Sequence, residues 1–156
     1  MMLAVRSVTV LLLMACLLVR PPAPGVLAAP AYSAPLSGVI DFGLNYNDRG
    51  KVIKVTHPRS TFGAGDTMAY VAHLSAVPHS KKLHWSIAQV ASSGQEAVVL
   101  DDNAYPVRHP KTTNVLYNRF TISALEKAGV KGPGVFVMRF RKGAVTLAQG
   151  MFQLSR

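Results

Sequence analysis

The side chains best suited to metal binding or acid–base work in this 156-residue chain are five histidines, seven carboxylates and one cysteine. Their spacing argues against both chemistries. Neutral imidazoles make a metal site when two or three of them converge. Here His57, His79 and His109 each lie within one residue of a proline, in loop-like contexts, while His73 and His84 fall on separate strand-like runs. No H-x-H or H-x-x-x-H pair occurs. Asp101–Asp102 is the only adjacent carboxylate pair, and neighbouring residues of a strand point to opposite faces, which makes a poor acid/base couple. Asn45, Asn47 and Asp48 begin like a calcium loop, but Arg49 stands where the fifth ligand belongs and no glutamate closes the loop. The G-x-S-x-G, G-x-G-x-x-G and P-loop patterns are all absent. The expectation is a protein with no catalytic residues, no metal and no cofactor. An alternative reading is a periplasmic copper or zinc carrier using histidine and methionine, although Met68 and Met138 fall at expected core positions.

The cations point elsewhere. Lys and Arg number 17 against 7 Asp and Glu, a formal charge of +10. Three of them, Arg139, Arg141 and Lys142, crowd the middle of "GPGVFVMRFRKGAVTLAQGMFQL", residues 132–154, which reads as a hairpin. Alternation on its first strand turns Phe136, Met138 and Phe140 inward and Val135, Val137, Arg139 and Arg141 outward. The second strand has two registers. A "KG" loop sends Val145 and Leu147 inward and needs a slip near Gln149–Gly150. An "RKG" loop, with Gly143 left-handed, sets Phe140 opposite Ala144, lines the core with Thr146, Ala148, Gly150, Phe152 and Leu154, and leaves Val145, Leu147 and Met151 outside. The second register is preferred. With His84 alongside, it makes an apolar floor with a cationic rim, and exposed apolar patches mark interaction sites. The expected partner-binding set is His84, Val137, Arg139, Arg141, Lys142 and Leu147. The expected partner is an anionic envelope polymer, a lipid headgroup or an acidic protein, and not nucleic acid; a second copy of the chain is another occupant for the face. A protease-inhibitor or chaperone-like module is a further alternative.

The elements that would position these residues begin after the N-terminus. "MMLAVR" carries one cation, "SVTVLLLMACLLV" is apolar to Val19, Arg20 stops it, and "PPAPGVLAAPA" follows. This pattern reads as a secretory signal peptide over residues 1–28, cut after Ala28 with Val26 at the −3 position, with a cut after Ala31 through "APA" as the alternative. The apolar run is shorter than the roughly 20 residues a membrane-spanning helix needs. The chain is therefore expected to be exported to the periplasm, cell surface or medium, with lipoprotein anchoring through Cys16 as the alternative. Loss of Arg6 and Arg20 with the signal leaves 15 cations against 7 anions, still +8, and no cysteine for a disulfide framework.

Residues 29–37 read as a short linker and 38–156 as one domain. Short alternating runs separated by Gly, Pro, Asn and Asp predict an all-β sandwich. "GVIDFGL", "KVIKVTH", "TMAYVAHL", "LHWSIAQV", "EAVVLDD", "VLYNRFTI" and the two hairpin runs are the strands; "NAYPVRHPKTTN" reads as a loop or edge. Ser123 and Glu126 stand in capping-box spacing, and Gly129 is a natural stop, which predicts a short helical turn near 123–129. Asp66 is expected to cap the backbone of the loop before it.

Four features occur in a fixed order: "FGAGD" (Phe62 to Asp66), Trp85, "PGVFVMRF" (Pro133 to Phe140) and "GMFQL" (Gly150 to Leu154). In that order they resemble bacterial exported immunoglobulin-like domains with the pattern F-x-x-G-D … W … P-G-x-[YF]-x-[VM]-x-[VF] … G-x-F-x-[VL]. The resemblance spans residues 38–156 and implies a fold without a characterised function. It implies core positions for Trp85, Phe136, Met138, Phe140, Phe152 and Leu154. The absent inter-sheet cysteine pair separates the chain from antibody-type domains.

Overall fold

The structure, a computed structural model, describes residues 37–50 and 52–155. The expected signal peptide, Cys16 and all of the linker except Ser37 lie outside the described residues. The described chain runs β1 (Gly38–Asn47), β2 (Lys54–Pro58), β3 (Thr61–Phe62), β4 (Thr67–His73), β5 (Lys82–Val90), β6 (Glu96–Pro106), β7 (Val115–Thr121), α1 (Ile122–Lys127), β8 (Gly134–Lys142) and β9 (Val145–Leu154).

Alternation decides which side chains of a strand enter the core between the sheets. Met68, Tyr70, Ala72 and Leu74 from the β4 run, Leu83, Trp85 and Ile87 of β5, and Phe136, Met138 and Phe140 of β8 all join one core. Each of the Leu, Ile, Met and Phe side chains contributes roughly 1.5–3 kcal/mol when fully withdrawn from water. The aromatic rings tie the layers together. Trp85 of β5 stacks on Phe120 of β7 at 5.5 Å, and Tyr70 of β4 lies 5.8 Å from Phe140 of β8. The Tyr70 and Tyr105 hydroxyls hydrogen-bond at 2.7 Å, which links β4 to β6.

The strand order is β6-β5-β8-β9-β1-β4-β7. Strands β6, β5, β8 and β9 form one antiparallel sheet, and β1, β4 and β7 form the other. β1 joins them: it pairs antiparallel with β4 from Val39 to Gly43, but parallel with β9 only at Gly38 and Val39. Gly150 permits a close approach here, since a Cβ at that position would stand 2.4 Å from the Ile40 carbonyl oxygen. Two packed sheets, with the first strand passing from one to the last strand of the other, make this an all-β immunoglobulin-like sandwich.

Three local expectations are corrected. The hairpin loop is neither "KG" nor "RKG". Lys142 pairs with Val145, so Gly143 and Ala144 form a two-residue turn with Gly143 at φ 57°. Glycine with positive φ in the first central position suits the twist of the flanking strands. Arg141 pairs with Thr146 but Phe140 pairs with Ala148, so Leu147 is the extra residue of a bulge. Secondly, the helix is capped by Thr121 and not Ser123: the Ala124 N–H donates to Thr121 Oγ1 at 3.2 Å. Thirdly, the strand expected over "EAVVLDD" is longer: β6 continues through Tyr105 to Pro106 as the edge strand of its sheet, in line with the edge reading of "NAYP", with register shifts against β5 that absorb its irregularity. The Asp66 expectation agrees with the structure, where its carboxylate accepts from the Gly63 N–H at 2.7 Å.

Candidate functional site

The outer face of the hairpin sheet differs from the expected apolar floor. Val137 faces outward between Ala88 and Met151, but it is 4% exposed. Leu147 is 5% exposed and belongs to the core, because the bulge rotates it inward. Val145 stands opposite Lys142, on the other face from Arg139 and Arg141. Neither Val137 nor Leu147 is therefore available as a contact surface, and that part of the expected set is corrected. Of the expected outward apolar residues, Met151 is exposed on this face.

Arg139 is committed within the protein. Its guanidinium reaches past β5 to β6 and donates to both carboxylate oxygens of Glu96, Nη2 to Oε1 at 2.7 Å, while Nε donates to Gln149 at 3.3 Å. This bidentate pair holds the Glu96 carboxyl below the usual carboxylate range and raises the Arg139 guanidinium. His84 lies opposite Arg141 in the ladder, and its Nε2 is bonded to Asp101. Of the expected cations, Arg141 and Lys142 have no carboxylate partner among the described residues.

Those two belong to a larger cationic surface at one end of the sandwich. The connections that meet there are residues 74–81, 107–114 and the turn at 143–144. They are joined by their main chains. Leu74 N–H donates to Asn114 at 2.8 Å, His79 N–H to Pro110 at 2.9 Å, and Lys81 accepts from Val107 N–H at 2.9 Å. Ser75 N–H donates to the Leu147 carbonyl at 2.8 Å, which explains one use of the bulge. Lys82 pairs with Pro106 on β6, and the β5–β8 ladder carries it level with the hairpin turn. Neighbouring strands lie about 4.8 Å apart, so these strand ends are adjacent. The end carries Lys81, Lys82, Arg108, Lys111, Arg141 and Lys142, together with His79 and His109, and residues 74–83, 107–114 and 141–147 contain no Asp or Glu. All of these cations are exposed except Arg141, which is half-buried.

The carboxylates lie outside these three stretches and are largely occupied; the nearest, Asp101 and Asp41, stand beside His84 and His73. Asp66 pairs with Arg59 at 3.1 Å, Asp41 lies 3.6 Å from His73, and Asp102 accepts from the Ala104 N–H at 2.8 Å. Among the described residues no group of three His, Cys, Asp or Glu converges on a metal-sized point. His57, His79 and His109 all hold positive φ, between 48° and 52°. Histidine enters this region more readily than most residues; His79 and His109 do so in the loop-end connections, and His57 within β2. The loop-end site was not legible as a motif, since its six Lys and Arg come from three separate stretches of the sequence. The available signal was that each of these stretches is acid-free.

The fold and site together define an immunoglobulin-like sandwich with a cationic loop end. No family model and no curated protein matches the chain. A solved structure similar to it is that of an immunoglobulin-like protein from Pseudomonas aeruginosa, at 15% identity and a TM-score of 0.43, with 74% of this chain and 91% of that one covered.

Proposed function

We propose that this protein is an exported, non-enzymatic binding module of the cell envelope, which holds an anionic polymer on the loop end of its sandwich. The observation that carries this reading is the convergence of six Lys and Arg on three adjacent connections and the strand ends beside them, in stretches of sequence that contain no carboxylate. Like charges on the order of 10 Å apart repel by about 0.4 kcal/mol per pair in water, before screening. The core fixes the loops that carry them, so the repulsion persists until a polyanion relieves it. Displacement of counterions adds to the gain. The N-terminal pattern of a secretory signal supports export, where acidic envelope polymers are the abundant anions.

Calorimetric titration with inorganic polyphosphate tests the reading. Binding is expected at low salt and to weaken steeply as salt rises. Replacing Arg108→Glu and Lys111→Glu together is expected to weaken it by about tenfold or more, equal to about 1.4 kcal/mol. Equal binding by the native protein and the folded double variant would refute it.

A further inference from the structure

A cleft of about 760 Å³ runs beside β7 and opens onto the same cationic end. Val52 and Ile53, Tyr105, and Tyr117 and Asn118 form its walls. Arg108 and His109 stand at one end of it, next to Thr113 and Asn114, and no lining residue is acidic. The topology explains why it exists. Among the described residues β7 pairs only with β4 and β6 only with β5, so no ladder between described strands closes the seam between these two edges.

The cleft is preorganised. His109 holds φ 52°, its carbonyl accepts from the Thr112 and Thr113 N–H groups at 3.0 Å each, and Thr113 Oγ1 donates to the Arg108 carbonyl at 2.8 Å. These bonds set the backbone of Arg108 before any ligand arrives, which lowers the ordering cost of binding. Tyr117 is 36% exposed, and its ring is held edge-on by Tyr46 at 4.9 Å.

We infer that this cleft receives one saccharide unit of an anionic glycan, with the sugar ring against Tyr117 and its acidic group on Arg108. The inference rests on the proposed binding function and narrows its polymer to a glycan. A sugar ring offers an apolar C–H face and a rim of hydroxyls. An amphipathic tyrosine suits the first, while the Asn114 and Asn118 amides and the Thr113 hydroxyl suit the second. The planar fork of Arg108 suits a carboxylate or sulfate. The volume lies within the usual range for small-molecule sites. His73 also lines the cleft, with the Asp41 carboxylate 3.6 Å from it, so Arg108 is the group left to take the acidic substituent. A polyphosphate would use the cations and leave the tyrosines and amides without a role.

The test is calorimetry with tetragalacturonate, with inorganic polyphosphate and an oligoglutamate peptide as comparisons. Tyr117→Ala, and separately the exposed Asn118→Ala, are expected to lose about tenfold in affinity for tetragalacturonate while polyphosphate affinity stays unchanged. In the native protein, tetragalacturonate is expected to shift the amide resonances of Tyr105, Tyr117 and Asn118. Tetragalacturonate binding that neither variant alters overturns the inference, as does an oligoglutamate peptide with the same dependence on Tyr117. Failure of polyphosphate to bind the native protein would instead count against the loop-end reading, and the tetragalacturonate arms would still decide the cleft.

Discussion

At the residue scale, type and direction are insufficient to assign a role. Arg139 has the side chain of an anion-binding group and faces outward, yet Glu96 occupies its guanidinium. Reversing it to Glu would place two carboxylates together on a partly covered face, so loss of binding in that variant would report disruption of the sheet surface. Tyr70 and Tyr105 offer a cleaner measurement. Burial pushes both phenols up, most strongly Tyr70. The sign follows from the protonated form being favoured in the fold. Below the unfolded tyrosine value of about 10 both states keep their protons, and no pH dependence arises. Above it the unfolded chain ionises while the buried hydroxyls do not, so stability falls as pH rises. Thermal unfolding between about pH 8 and 11 is expected to show this loss, and Tyr70→Phe is expected to reduce its slope. At neutral pH the same substitution leaves the Tyr105 hydroxyl without its partner and is expected to cost about 1–2 kcal/mol. The double variant with Tyr105→Phe should cost less than the sum of the single ones.

At the element scale, most strands were legible because their large apolar residues alternate, even where β4, β5 and β8 bury smaller residues on the other face as well. Ile40 and Phe42, Met68 to Leu74 and Phe136 to Phe140 alternate cleanly, and the structure buries those sets. The junctions were harder, because they depend on which residue leaves the ladder. Alternation in "RKGAVTLAQGMFQL" fits two registers, and the observed one satisfies both ends with a turn at Gly143–Ala144 and a bulge at Leu147. At the bulge the Leu147 carbonyl accepts from a distant partner, the Ser75 N–H, which local pattern cannot supply. The helix start shows the same limit. Thr121 and Ser123 are both good caps by type, and the pairing of β7 with β4 through Thr121 fixes which one ends the strand. Thr121→Ala is expected to cost about 0.5–2 kcal/mol in chemical denaturation. Ser123→Ala, inside the helix, should change stability by a few tenths at most. A reversed ranking would show that α1 starts later than Ile122.

At the scale of the whole molecule, the question is whether binding follows net charge or its placement. A strongly basic protein attracts polyanions through its overall field, and that attraction needs no site. The two ends of the sandwich separate the possibilities. Residues 122–133 lie at the end opposite the hairpin turn, where Glu126 accompanies Lys127 and Lys131. A strand of nine residues spans about 30 Å, several times the Debye length of about 8 Å at physiological ionic strength. Charges at one end are thus largely screened from a ligand at the other. Lys81→Glu with Lys82→Glu removes the same net charge as Lys127→Glu with Lys131→Glu, and all four side chains are exposed. The distal pair carries one small cost of its own, since Lys127 sits in the last turn of α1, where a cation suits the helix terminus by about 0.3–1 kcal/mol. That cost acts on stability and leaves the loop end intact. Calorimetry with polyphosphate at physiological salt is expected to show about tenfold weaker binding for the Lys81/Lys82 variant and a change within about twofold for the distal one. Equal weakening by both would mean that the field of the whole protein, and not the loop end, holds the polymer.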